Sequence, residues 1–119
     1  MDAAFTIRAL GDDAVLHCAG ELDLASQVDL AIYLAHLLDV PSVGVVVDLT
    51  EVTFLDSGSV GAIHALARAI RPDQRLRVVS PPGIVRRVLA LTGFDRMVPV
   101  LTPPDQRTGP PTAPAPGTA

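Results

Sequence analysis

The junction at the centre of the chain constrains the fold most. Residues 43–49 read Val-Gly-Val-Val-Val-Asp-Leu, and the chain then runs to Asp56-Ser57-Gly58-Ser59. The first part is a nearly unbroken β-branched run, the composition of a strand buried on both faces. A short polar turn and an apolar step, Phe54-Leu55, are expected next. Asp-Ser-Gly-Ser reads as the start of a helix, because Asp56 can accept hydrogen bonds from the free amides of a first helical turn. Small residues at 57, 58 and 59 leave that turn open. A helix N-terminus exposed in this way favours a carboxylate or a phosphate.

The rest of the chain fits around this junction. Residues 5–9 and 14–19 are strand-like, and Gly11-Asp12-Asp13 between them predicts a β-hairpin. Gly20 is expected to break the second strand, and Asp23 to cap a helix over 24–38. Apolar residues at Leu24, Val28, Ala31, Ala35 and Leu38, widened by Ile32 and Leu34, predict the buried stripe of that helix, with Gln27, Asp29 and His36 on its polar side. Pro41 ends it. Strand, helix and strand in this order suggest a parallel pair with a right-handed crossover.

A second helix is expected from Asp56 to about Ile70. Val60, Ile63, Ala67 and Ile70 form its main stripe, and it is apolar nearly all round. Residues 76–79 are a further strand. Ser80 is expected to cap a third helix, with Pro81 in its first turn, Ile84, Val85, Val88 and Leu91 on the sheet, and Gly93 at its C-terminal end. Residues 97–101 form a last edge strand, placed at the border by Pro99. The fold class is therefore α/β: a single domain with an N-terminal hairpin, then alternating helix and strand, on a mixed, mainly parallel sheet. The domain spans residues 1–101. Residues 102–119 form a Pro/Ala/Gly/Thr-rich tail, expected to be disordered, because six of the eleven prolines lie there and such a segment cannot bury a core.

Composition excludes several functions. A net charge of −4 argues against a nucleic-acid surface, which needs clustered cations. Cys18 is the one cysteine, so no internal disulfide forms, and it reads as a small core residue. His17, His36, His64 and Cys18 lack metal-ligand spacing, and no cofactor motif is present. No run is long and apolar enough for a membrane helix and no leader is visible, so the cytoplasm is the expected location. A serine-hydrolase elbow needs glycine two residues before Ser59, where Ser57 stands, and a histidine from later in the fold, whereas the last histidine, His64, is expected on the same helix as the serines. Enzymatic activity is not expected.

Asp48-Leu49-Thr50-Glu51-Val52-Thr53-Phe54-Leu55-Asp56-Ser57 resembles the signature of STAS domains, the family of bacterial anti-sigma factor antagonists. Gly20-Glu21-Leu22-Asp23 is similar to the family's early motif, and residues 80–94 to its closing helix. The three occur in the family's order and cover most of residues 5–101. The resemblance implies a STAS-like fold and a partner-switching regulator of transcription. Such a protein binds an anti-sigma factor of the serine-kinase type and frees its sigma factor. The kinase phosphorylates the antagonist, which abolishes binding, and a metal-dependent Ser/Thr phosphatase resets the switch. The partner surface implied by the resemblance is Glu21, Asp23, Asp56, Ser57, Gly58 and Ser59, with the exposed side of the second helix.

The sequence departs from the family at the acceptor. Where the family carries the phosphorylated Ser or Thr, this chain has Gly58, and Ser59 stands at the family's glycine. Either phosphorylation has moved to Ser59 or Ser57, with Ser59 favoured, or the switch is lost. An alternative reading is a ligand-responsive or scaffolding STAS subunit without a phospho-switch, for example of a transporter complex. A structural homodimer is a third.

Overall fold

Gly11, with φ +61°, turns β1 (Ala4–Leu10) back onto β2 (Asp13–Leu22), and the two pair antiparallel from Leu10↔Asp13 to Ala4↔Ala19. The computed structural model describes residues 2–103. After β2 a 3-10 turn at Leu24–Ser26 leads into α1 (Gln27–Leu38). Then come β3 (Gly44–Leu55), α2 (Ser57–Ala69), β4 (Arg75–Val79), α3 (Ile84–Leu91), a second 3-10 turn at Phe94–Arg96, and β5 (Val100–Leu101). The five strands lie in sequence order, and β2 to β5 are mutually parallel. α1, α2 and α3 all pack into one buried cluster with the sheet, as crossovers of one hand between neighbouring parallel strands require.

That face is the core. Leu16 and Leu22 of β2, Val45, Val47 and Leu49 of β3, and Val78 of β4 are fully buried, and they share one cluster with Leu30 and Leu37 of α1, Ile63 of α2 and Leu89 of α3. Burying each such side chain contributes roughly 1.5–3 kcal/mol. Phe5 stacks on Tyr33 of α1 with ring centroids 5.1 Å apart, which ties the hairpin to the same layer. The alternate residues Val15, His17, Val46 and Asp48 line a hollow of about 670 Å³ on the other face, where His17 Nδ1 lies 2.8 Å from Asp48 Oδ2.

Several local expectations are corrected. Gly20 does not end β2: the strand bends through register shifts on either side of Ala19 and continues to Leu22. No polar turn follows Leu49, because β3 runs unbroken for 12 residues to Leu55 and keeps pairing with the bent end of β2. In α1 the buried residues are Leu30, Leu34 and Leu37, whereas Val28, Ala31, Ile32 and Ala35 are exposed, as is Leu24 in the 3-10 turn before the helix. α2 is not buried all round; Ser59, Val60, Ile63 and Leu66 face inward, and Gly61, Ala65 and Ala69 face out. α3 starts after Gly83 rather than at Ser80, and it buries Val85 and Leu89 while Ile84 and Leu91 stay exposed. The edge strand shrinks to two residues. The tail expected over 102–119 lies outside the described residues from position 104 on.

Arg86 compensates for the short edge. Its guanidinium donates to the carbonyls of Ser80 and Val100, both at 3.0 Å, and to Thr102 Oγ1 at 2.8 Å. One side chain thus joins α3 to both sides of the last strand pair.

Gly20 has φ +87°, and a Cβ there would overlap the Asp2 carbonyl oxygen. Gly20→Ala should therefore destabilise the fold by about 1–3 kcal/mol, read as a lower urea midpoint with an unchanged slope. An unchanged midpoint would mean that the bend and the N-terminal residues yield without cost.

Candidate functional site

β2 and β3 end level with each other, with Leu22 opposite Leu55. Parallel strands release their next residues at one edge of the sheet, where sites in α/β folds gather. Here the edge holds the loop at Glu21 to Ser26 and the start of α2.

Asp56 adopts extended backbone, φ −94° and ψ 170°, and its carboxylate accepts the Ser59 amide at 2.8 Å. It is therefore the N-cap that the sequence predicts. The Leu22 carbonyl accepts twice, from the Asp56 amide and from Ser59 Oγ, both at 3.1 Å. Ser59 is wholly buried. Its hydroxyl is an internal tie between β2 and α2, out of reach of an external phosphoryl donor in this conformation. Ser57 and Gly58 are exposed. The order of access is thus the reverse of the one the sequence favours, and Ser57 carries the exposed hydroxyl of the turn.

Asp23 caps the 3-10 turn. Its carboxylate accepts the Ala25 amide at 3.1 Å, and its own amide donates to Ser26 Oγ at 3.0 Å, a reciprocal capping box. Ser26 Oγ also reaches the Glu21 and Asp23 carbonyls at 3.2 Å. The loop is consequently held by its own side chains. Glu21 and Asp23, with Asp2 and Asp29, line a cavity of about 330 Å³ beside it. Among the described residues no group of carboxylates, histidines and cysteine has the geometry to hold a metal.

Gln27 is a site residue that the sequence reading places only on the polar side of a helix. Its side-chain amide lies over Gly58, where a Cβ would fall inside contact distance of Nε2. Gln27 fills the space that a larger residue at 58 needs. No spacing rule signals this, because the two residues meet only when α1 packs on α2.

Cys18 stands apart from this edge, buried in β2. Burial, reinforced by the charge of Asp48, pushes its thiol up to about 12. The folded thiol thus stays protonated to higher pH than the unfolded one. Its contribution to stability is complete below the unfolded value near 9 and is lost as pH rises toward 12. His36 and His64, which the sequence reading sets aside as ligands, lie on α1 and α2, and the buried His64 Nε2 makes no hydrogen bond among the described residues.

Residues 5–101 match the family model described as Mlab, STAS domain. The fold is similar to an anti-sigma factor antagonist from Mycobacterium paratuberculosis, at 22% identity and a TM-score of 0.81, over 84% of this chain and 86% of that one. It is also similar to the anti-sigma factor antagonist SpoIIAA in its unphosphorylated form, at 18% identity and a TM-score of 0.71, over 88% of this chain and 92% of that one. The phosphorylated Bacillus cell fate determinant SpoIIAA matches at 17% identity and a TM-score of 0.64, over 88% of this chain and 96% of that one. At these identities the likeness is one of fold. No curated protein matches the sequence.

Two outcomes follow from this geometry. Asp56→Ala should cost about 1 kcal/mol in urea unfolding, and Asp56→Asn much less, since asparagine caps nearly as well; equal losses would show that charge rather than capping matters there. A thiol reagent at pH 8 should leave Cys18 unmodified in the folded protein and label it in urea. Fast labelling of the folded chain would contradict its burial.

Proposed function

The chain belongs to the STAS-domain family, and from that premise we propose that it is a non-enzymatic, protein-binding regulator acting as an anti-sigma factor antagonist. Its partner is an anti-sigma factor of the serine-kinase type, and docking on the open start of α2 frees a sigma factor. The observation that carries this reading is the pairing of two preorganised loops at one sheet edge, the Asp23 turn and the Asp56–Ser59 turn. Rigid loops bind with little ordering cost. The exposed start of α2 offers a partner the small residues Ser57 and Gly58, with the Gln27 side chain lying over Gly58. Glu21, Asp23, Asp56, Ser57 and Gly58 form the contact surface, and Ser59 supports it from beneath.

In this reading Ser57 is the acceptor. Its Oγ attacks the γ-phosphorus of ATP bound to the kinase, ADP leaves, and the hydroxyl proton is lost. The product carries nearly two negative charges at pH 7. Beside Asp23 and Asp56, those charges oppose a partner that docks against the unmodified turn, and a metal-dependent phosphatase removes them. A second reading has its own support. Gly58 offers no hydroxyl, Gln27 occupies the space above it, and Ser59 is turned inward. These features favour a STAS module that binds without a phospho-switch, including a scaffolding subunit of a transporter complex.

Intact mass after incubation with the kinase-type anti-sigma factor and ATP separates the readings. We expect one added phosphate on wild type and on Ser59→Ala, and none on Ser57→Ala. Binding without any phosphate would remove the switch and leave a constitutive antagonist. Neither phosphate nor binding would overturn the antagonist reading.

A further inference from the structure

We infer that β1 is a docking edge for a second copy of the chain, pairing antiparallel with its own β1 across a two-fold axis at Ile7. The inference does not depend on the antagonist reading. Among the described residues β1 pairs only with β2, so the other side of its ladder is open. The hairpin turn fixes which groups face that side. Gly11 and Asp12 form a two-residue turn, and the residues that flank such a turn, here Leu10 and Asp13, are a hydrogen-bonded pair. Hydrogen-bonded pairs recur at every second residue, and this register has no bulge. Arg8, Thr6 and Ala4 therefore also aim their amides and carbonyls at β2. Phe5, Ile7 and Ala9 aim theirs outward. Open edges are ordinarily blunted by lysine, proline, a bulge or shortness. β5, at the opposite border, is two residues long, whereas β1 has seven, with no lysine, proline or bulge.

The side chains of β1 identify the occupant. A two-fold axis at Arg8 would set two arginines opposite each other, which is unfavourable. An axis at Thr6 would leave Ala9 beyond the end of the paired strand. The axis at Ile7 engages all seven residues and all the outward groups. Phe5 then faces Ala9 of the second copy, Thr6 faces Arg8, and Ala4 faces Leu10. Each large side chain meets a small one there, and Ile7 meets Ile7 as a β-branched apolar pair. Phe5 and Ile7, half-buried at the rim of the core, gain cover in this arrangement. The backbone bonds would serve any extended segment; the side-chain match is to this sequence itself. Two such strands bury less than the roughly 1,200 Å² of a stable interface, so the dimer is weak and concentration-dependent. Asp2 and Asp12 of opposite copies approach at the ends of the ribbon, so added salt strengthens it.

The test is sedimentation of the full chain at concentrations up to about 1 mM, in low and in moderate salt, with melting temperatures alongside. Wild type should pass from monomer to dimer, and more readily in salt. Ala9→Pro removes one outward amide and leaves the ladder to β2 intact; it should weaken the dimer about tenfold or more. Thr6→Arg sets like charges opposite each other twice and should loosen the dimer, whereas Thr6→Glu sets opposite charges there and should tighten it. A monomer at every concentration, or a dimer indifferent to both Thr6 variants, would overturn the inference whether or not Ala9→Pro folds, and would leave the antagonist reading standing. A monomeric wild type whose binding to the anti-sigma factor is lost in a folded Ala9→Pro would assign the edge to a partner's strand and overturn it too.

Discussion

The carbonyl of Leu22 is the point on which the site depends. It closes the end of β2 and takes hydrogen bonds from both the backbone of Asp56 and the hydroxyl of Ser59. A carbonyl has two lone pairs, and here both serve to fix one loop against another. The 3-10 turn at Leu24–Ser26 starts from this anchor, and so does α2. Neither loop needs a partner to hold its shape. The position of the Ser57 hydroxyl is therefore set by contacts made beneath it, between residues that an approaching protein does not touch.

Much of the fold was legible because it follows from local rules. The β-branched run of β3, the glycine turn of the hairpin, Pro41 after α1 and Gly93 after α3 each have one cheap conformation. The errors cluster where tertiary pairing overrides local preference. Gly20 is a strand breaker by propensity, yet parallel pairing with β3 carries β2 past it as a bend. Thr50, Glu51 and Thr53 look like a turn, yet the same pairing keeps them extended. Ser80 looks like a cap, but it is buried and donates to the Pro81 carbonyl, and the helix starts only beyond Gly83.

The candidate site was legible in part for similar reasons. Asp23 and Asp56 cap the turns that their positions predict. The roles of Ser57 and Ser59 were not readable, because adjacent hydroxyls in a first helical turn point in different directions. Which one faces inward is decided by a carbonyl 37 residues earlier in the chain. Gln27 over Gly58 is a meeting of two helices with no trace in either one. α1 shows the deeper limit. Periodicity chose the stripe of Leu24, Val28, Ala31, Ala35 and Leu38, yet of these only Leu38 is even half-buried, and the core takes Leu30, Leu34 and Leu37 instead.

The Arg86 clamp has a mechanical consequence. β5 is two residues long and has little ladder of its own. A pull on the chain at residue 103 is shared between two backbone bonds, from Val78 to Pro99 and from Ser80 to Leu101, and the guanidinium bonds to Val100 and Thr102, while the bond to Ser80 ties Arg86 to the end of β4. The domain thus resists tension at its C-terminal side with a side-chain latch, and whatever is joined there is attached to a fixed point rather than to a fraying edge.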